Sequence, residues 1–229
     1  MKKILLFDID NTLLDFDTSE ARALQHFFAD NTKLDPQQLI QVYDGINQQL
    51  WHEYETGAID KDTLVNTRFA KLFSHFGQQI DGAVYEMRYQ GYLAQGHDQI
   101  PGAKALLEQL KRDGYRLFAA SNGIARIQHQ RLQDSGFAAL FEETFISEEL
   151  GVQKPQKRFF ETAFSLIADF SAAEAVMIGD SLSSDIAGGK NAQIDTVWYN
   201  PKQLTAGNVQ PTYTISRLQE LPPLLKSWR

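Results

Sequence analysis

Lys3-Ile4-Leu5-Leu6-Phe7-Asp8-Ile9-Asp10-Asn11-Thr12 decides how this chain reads. An uninterrupted apolar run follows two lysines and stops at a carboxylate. Short continuous runs of this kind, bounded by charge, mark strands buried on both faces of a parallel sheet. Asp8 and Asp10, two apart and just past such a strand, fall at the carboxyl edge of the sheet, where open α/β sheets bind ligands. If the pleat persists, the two carboxylates share a face and repel each other. A divalent cation relieves that repulsion, and with oxygen donors the expected ion is Mg²⁺. A strand running into a turn and a helix cap accounts for the same residues without chemistry, since Asp and Asn are common there.

Working outward, three later runs resemble the first: Tyr115–Ala120, Ala175–Ile178 and Thr196–Tyr199, with a weaker one at Glu143–Ile146. Between them lie stretches of helical spacing. Gly102 to Arg112 places Ala105, Leu106 and Leu110 on one stripe and is stopped by Gly114. Arg158–Ala168 and Asp185–Asn191 fill the other gaps. Strands alternating with helices predict an α/β fold, a mostly parallel sheet flanked by helices.

From Asp15 to Gln95 the alternation breaks. No strand pattern is found there, but Glu20–Asp30, Lys61–Phe76 and Ala83–Ala94 repeat apolar residues at three and four. Asp35-Pro36-Gln37-Gln38 is a helix start with a capping residue and proline at the first helical position. The expected organisation is a core of residues 1–14 and 97–229 with a helical insertion at 15–96.

The 229 residues are 43% hydrophobic and 22% charged, the composition of a globular chain with a sizeable core. A net charge of −7 argues against binding a nucleic acid polymer. The absence of cysteine excludes disulfide scaffolds, thiolate zinc sites and thiol nucleophiles. The apolar run at the start is too short for a signal peptide, and no run approaches the ~18 residues of a membrane span. A cytoplasmic protein with no membrane partner is expected.

Three further clusters carry chemistry. Gly179-Asp180-Ser181-Leu182-Ser183-Ser184-Asp185 follows another buried-strand run, so Asp180 falls at a strand end and Asp185 one helical turn later. Ser121-Asn122-Gly123 ends the strand at Leu117–Ala120 and offers a hydroxyl, an amide and backbone N–H groups to an anion. Lys154-Pro155 precedes a helix and supplies a cation to offset the carboxylates. Each has a plain alternative: a helix cap for Asp185, a turn for Ser121–Gly123, solvated surface for Lys154.

Taken in order, these clusters resemble the four motifs of the haloacid dehalogenase-like (HAD) hydrolases, over nearly the whole chain. The resemblance implies a Rossmann-like core with an inserted C1-type cap closing over the active site. It implies Asp8 as nucleophile, Asp10 as general acid/base, and Ser121, Asn122 and Lys154 as the groups that bind the phosphoryl substrate. Mg²⁺ would be held by Asp8, Asp180 and the backbone carbonyl of Asp10, with Asp185 in support. Within that family, a second aspartate at position 10 argues for phosphoryl chemistry over dehalogenation. Leu50 to Ile59 and Ile146 to Val152 resemble the bacterial pyrimidine 5′-nucleotidase branch, which implies a small phosphorylated metabolite, a nucleoside monophosphate, as substrate. A sugar-phosphate phosphatase, a phosphomutase of the same superfamily and a catalytically silent metabolite binder stay open as alternatives.

Tyr43, Trp51, Tyr54, Tyr85, Tyr89 and Tyr92 suit either stacking on a base or packing the insertion's helices together. The five histidines show no metal-ligand spacing. Arg126 and Arg131, on the helix expected after Gly123, are within range of a phosphate but are read as solvated surface.

Overall fold

The computed structural model describes residues 2–228. In chain order the elements are β1 (Ile4–Phe7), α1 (Phe16–Asn31), α2 (Pro36–Glu55), α3 (Lys61–His75), α4 (Gly82–Leu93), α5 (Ala103–Arg112), β2 (Arg116–Ser121) and α6 (Ala125–Ser135). There follow β3 (Glu143–Ile146), α7 (Ser147–Leu150), α8 (Lys157–Ser165), β4 (Ala175–Gly179), α9 (Ala187–Asn191), β5 (Asp195–Tyr199), β6 (Tyr213–Ile215) and α10 (Leu221–Ser227). The chain divides into two compact units, Met1–Asp15 with His97–Arg229, and Phe16–Gly96.

The first unit is built on one sheet of order β3-β2-β1-β4-β5-β6, with every pairing parallel. Alternate residues of a strand face opposite sides, and β1 uses both. Leu5 and Phe7 pack with Leu106, Leu107 and Leu110 of α5 and with Leu221 and Leu225 of α10. Ile4 and Leu6 join Phe118, Met177 and, from α8, Phe159, Phe160 and Ala163. All four β1 side chains are buried, each stabilising the fold by about 1.5–3 kcal/mol relative to exposure. The predicted mostly parallel α/β sheet is therefore found, and its central strand is the run that announced it. The sequence pattern missed β6, a three-residue edge strand with two exposed positions and hence no apolar run.

The second unit consists of α1 to α4. Three of its helices begin on an aspartate: Asp35 accepts from the Gln37 N–H, Asp60 from Thr63 and Asp81 from Val84, each satisfying a backbone donor left over at the helix start. Phe27, Phe28, Phe69, Phe73, Tyr43 and Tyr89 form its interior. Tyr43 and Tyr89 are thus packing residues. Trp51 lies edge-on to Tyr54, with Lys61 Nζ over both rings at 4.3 and 4.4 Å. Among the described residues, no helix is long and apolar enough to cross a membrane.

Candidate active site

The sheet order reverses direction between β1 and β4, and open α/β sheets place their ligand crevice at the carboxyl end of such a reversal. β1 pairs with β4 through Phe7 and Ile178, so Asp8 leaves one strand beside the point where Gly179 and Asp180 leave the other. The Asp8 N–H still donates to Ile178 O at 2.8 Å, which holds its backbone in line. Beyond it the pleat ends. Asn11 takes a positive φ of 55°, its N–H reaches Leu14 O at 2.7 Å, and Leu13 and Leu14 both donate back to Ile9 O. Asp10 therefore lies at the mouth of a tight turn, bridged to Leu14.

Lys154 joins the motifs. Its ammonium is buried and donates to Asp8 Oδ1, Asp185 Oδ1 and the Ala120 carbonyl, each at 2.7 Å. An ammonium has three N–H donors, and all three are used. Burial by itself would drive its proton off, but Asp185 and Asp8 outweigh that and hold it above the usual lysine range. Lys154 is positioned by its backbone: its N–H donates to Asn122 Oδ1 at 2.9 Å, and Asn122 Nδ2 donates to its carbonyl at 2.8 Å.

Asp185 is fully buried on the π-helical turn Leu182–Ile186, with Ser181 N–H donating to its Oδ2 at 3.1 Å. A Cβ at position 179 would lie 2.2 Å from that Oδ2, so only glycine lets this carboxylate approach β4. The Asp180 backbone carbonyl accepts from Trp198 Nε1 at 2.7 Å.

Burial pushes the Asp180 carboxyl up to about 7, with Asp185 and Asp10 adding to the shift and Lys154 opposing it. Burial likewise raises Asp8 well above the carboxylate range; Lys154 opposes, and Asp185, Asp180 and Asp10 reinforce. One ammonium does not neutralise this cluster. Asp8, Asp180 and Asp185 each offer a carboxylate oxygen within 4.8 Å of the others. An all-oxygen, net-negative donor set suits a hard divalent cation, so the residues present fit Mg²⁺.

Asp10 and Ser121 meet through Gln128, which the sequence reading did not single out, and Asp10 is also held by Arg131. Arg131, read as solvated surface, is 0% exposed; its guanidinium is ion-paired with the Asp10 carboxylate. The reason is that α6 turns Gln128 and Arg131 inward along with Ile127 and Leu132. Gln128 Nε2 donates to Asp10 Oδ2 and to Ser121 Oγ, both at 2.8 Å. Ser121 Oγ also accepts from the Gly123 N–H at 3.0 Å. The signal that would have found this pair is their spacing of three, which puts both on one helix face with the apolar residues.

A sequence model of the family described as haloacid dehalogenase-like hydrolase matches residues 2–193. The pyrimidine 5′-nucleotidase PynA of Streptococcus pneumoniae is 48% identical over 220 residues, 96% of this chain and 93% of that one. The pyrimidine 5′-nucleotidase YjjG of Escherichia coli is 32% identical over 96% of each chain. The crystal structure of the HAD-hydrolase YfnB of Bacillus subtilis, bound to magnesium, superposes with a TM-score of 0.93 at 41% identity, covering 98% of this chain and 99% of that one.

Proposed function

The chain belongs to the haloacid dehalogenase-like hydrolase family and is an enzyme of its phosphoric monoester hydrolase kind; we propose that it is a Mg²⁺-dependent phosphatase working through an aspartyl-phosphate on Asp8. Its substrate class is the pyrimidine nucleoside 5′-monophosphates, and its setting is the cytoplasm. One observation carries the chemistry: Asp8, Asp180 and Asp185, at or just past two adjacent strand ends, bring carboxylate oxygens within 4.8 Å of one another, and Asp8 and Asp185 share one buried ammonium. The substrate class rests on the two pyrimidine 5′-nucleotidases, both alike along nearly their full lengths.

Phosphomonoesters are among the slowest bonds to hydrolyse, with rate enhancements up to ~10²¹ required. A covalent route splits that barrier in two. An Asp8 oxygen attacks phosphorus, the ester P–O bond breaks, and its electron pair leaves on the alcohol oxygen, which takes the proton of Asp10. Water then attacks the phosphorus and gives its proton to Asp10. The P–O bond to Asp8 breaks, releasing inorganic phosphate and restoring both aspartates.

The Ser121 hydroxyl binds a phosphoryl oxygen, and Lys154 binds another by exchanging one of its three present bonds for it, with Asn122 fixing its backbone for that task. Asp8, Asp180 and the Asp10 backbone carbonyl would hold Mg²⁺, with Asp185 in support. The ion supplies positive charge that lets an anionic nucleophile approach an anionic ester. Residues 15–96 act as the cap that selects the leaving group, because the core groups contact only the phosphoryl end.

The test is release of phosphate from uridine, deoxyuridine and thymidine monophosphates, hexose phosphates and p-nitrophenyl phosphate, with Mg²⁺ or with a chelator. Pyrimidine nucleotides are expected to lead, with no turnover after chelation. Failure with every divalent metal would leave a silent metabolite binder. Preferred hexose phosphates would move the substrate class, and their isomerisation without phosphate release would mean a mutase.

A further inference from the structure

The helix that follows Ser121-Asn122-Gly123 spends part of its buried face on polar groups. Gln128 is 1% exposed and Arg131 is not exposed at all. Taking a guanidinium out of water is costly unless it is paired and hydrogen-bonded. Here the pairing has a specific target. Arg131 Nη1 donates to Asp10 Oδ1, Gln128 Nε2 donates to Asp10 Oδ2 at 2.8 Å, and Arg131 Nη1 donates to Gln128 Oε1 at 2.8 Å. Each oxygen of the Asp10 carboxylate thus has its own donor, and the donors brace each other. The same Gln128 amide reaches Ser121 Oγ at 2.8 Å. Gly123 makes room for it, since a Cβ there would lie 2.7 Å from Gln128 Cγ.

Asp10 needs such bracing more than its neighbours. It lies beyond the end of β1, and its side chain is 28% exposed, against 11% for Asp8 and 1% for Asp185. A carboxyl group that must give a proton to one oxygen and later take one from another has to keep its bearing through both half-reactions. Misplacing a reacting group by about 1 Å can cost ~10²-fold.

We propose, resting on the reading of Asp10 as proton donor and acceptor, that Gln128 and Arg131 are positioning residues for the reaction. They lock the bearing of the Asp10 carboxylate and tie it to the Ser121 hydroxyl that holds the phosphoryl group. A merely structural role would lower activity on every substrate alike, whereas loss of aim at Asp10 shows where the leaving oxygen needs a proton.

The experiment compares kcat/KM, which covers the phosphorylation half-reaction, for a nucleoside monophosphate and for p-nitrophenyl phosphate. The first expels a poor alkoxide and the second a stable phenolate. Asp10→Asn sets the reference, with a far greater loss on the nucleotide, up to ~10²–10⁴-fold. Arg131→Ala is expected to lose ~10²-fold on the nucleotide and under about tenfold on the phenyl ester, mainly in kcat. Gln128→Leu and Arg131→Lys, which keep the site filled, should show the same split at smaller amplitude. Thermal unfolding confirms that each variant is folded, and the two conservative variants carry the test if Arg131→Ala is not. If Asp10→Asn shows the split and none of the Gln128 and Arg131 variants does, the positioning role is overturned. If Asp10→Asn itself lowers both substrates equally, the reading of Asp10 fails instead.

Discussion

Asn122 and Lys154 close a ring of two hydrogen bonds, amide oxygen to backbone N–H and amide nitrogen to backbone carbonyl, at 2.9 and 2.8 Å. The pair joins the end of β2 to a loop that precedes α8, so the ammonium inherits its position from a side chain thirty-two residues away. Asn122→Ala removes both bonds while leaving every charge in place. The expected result is a fall of roughly 10–100-fold in kcat/KM, the scale of a slightly misplaced catalytic group. Asn122→Asp should be worse than its size suggests, because a carboxylate oxygen would face the Lys154 carbonyl. Steady-state kinetics on both variants, beside wild type, checks the order.

Lys154 Nζ is the counter-charge to two buried carboxylates, so its removal bears on the stability of the fold itself. Lys154→Met leaves Asp8 and Asp185 facing each other without a cation. Breaking a buried pair from one side typically costs ~3–5 kcal/mol. The metal-free variant should therefore unfold at a clearly lower temperature than wild type, and Mg²⁺ should recover part of the difference. Scanning calorimetry with and without the metal reads both effects. Equal melting temperatures for variant and wild type would contradict the role of Lys154 as counter-charge.

Asp180, pushed up to about 7 from 3.8, makes stability depend on pH in a definite direction. Between about pH 4 and 7 the folded chain keeps a proton that the unfolded chain has released, so the folded state binds more protons. Stability from this group is present in full below about pH 4 and lost as pH rises through about 7. Asp8, also raised by burial, acts in the same direction. Without metal, Asp180→Asn should gain on wild type in melting temperature as pH rises from about 5 to 8. With Mg²⁺ the gain should reverse, because only wild type keeps the full donor set. A difference that does not change with pH would show that the carboxylate is not buried as described.

Strand-end acids were legible because β1 and β4 are continuous apolar runs that stop at Asp8 and Gly179-Asp180. A buried central strand leaves few readings of its own sequence, and that gave the parallel sheet as well. Arg131 was not legible. Its neighbours Gln128, His129 and Gln130 dilute the apolar pattern of α6, and a buried arginine looks like a solvated one until its partner is known. Asp10 is that partner, and it comes from a distant part of the chain. The same holds in the second unit, where Arg68, Asn47 and Glu86 occupy inward positions that a hydrophobic pattern reserves for apolar residues.

That polar interior makes a prediction of its own. Arg68 grips Glu86 through two parallel bonds, Nε to Oε2 and Nη2 to Oε1, both 2.7 Å, and donates to Asn47 Oδ1 at 3.1 Å. Both ionic side chains are almost completely buried, 3% and 2% exposed. In such a place the cost of dehydrating two ions offsets much of their attraction, so the pair adds little net stability. Removing one partner is another matter, because the survivor keeps its dehydration cost and loses its compensation. Glu86→Leu and Arg68→Met should each destabilise by ~3–5 kcal/mol, and the double variant by much less than their sum. Urea unfolding of wild type, both singles and the double gives the coupling directly. Additive losses would mean that the two residues stabilise the helices through packing alone, and that the ion pair contributes nothing.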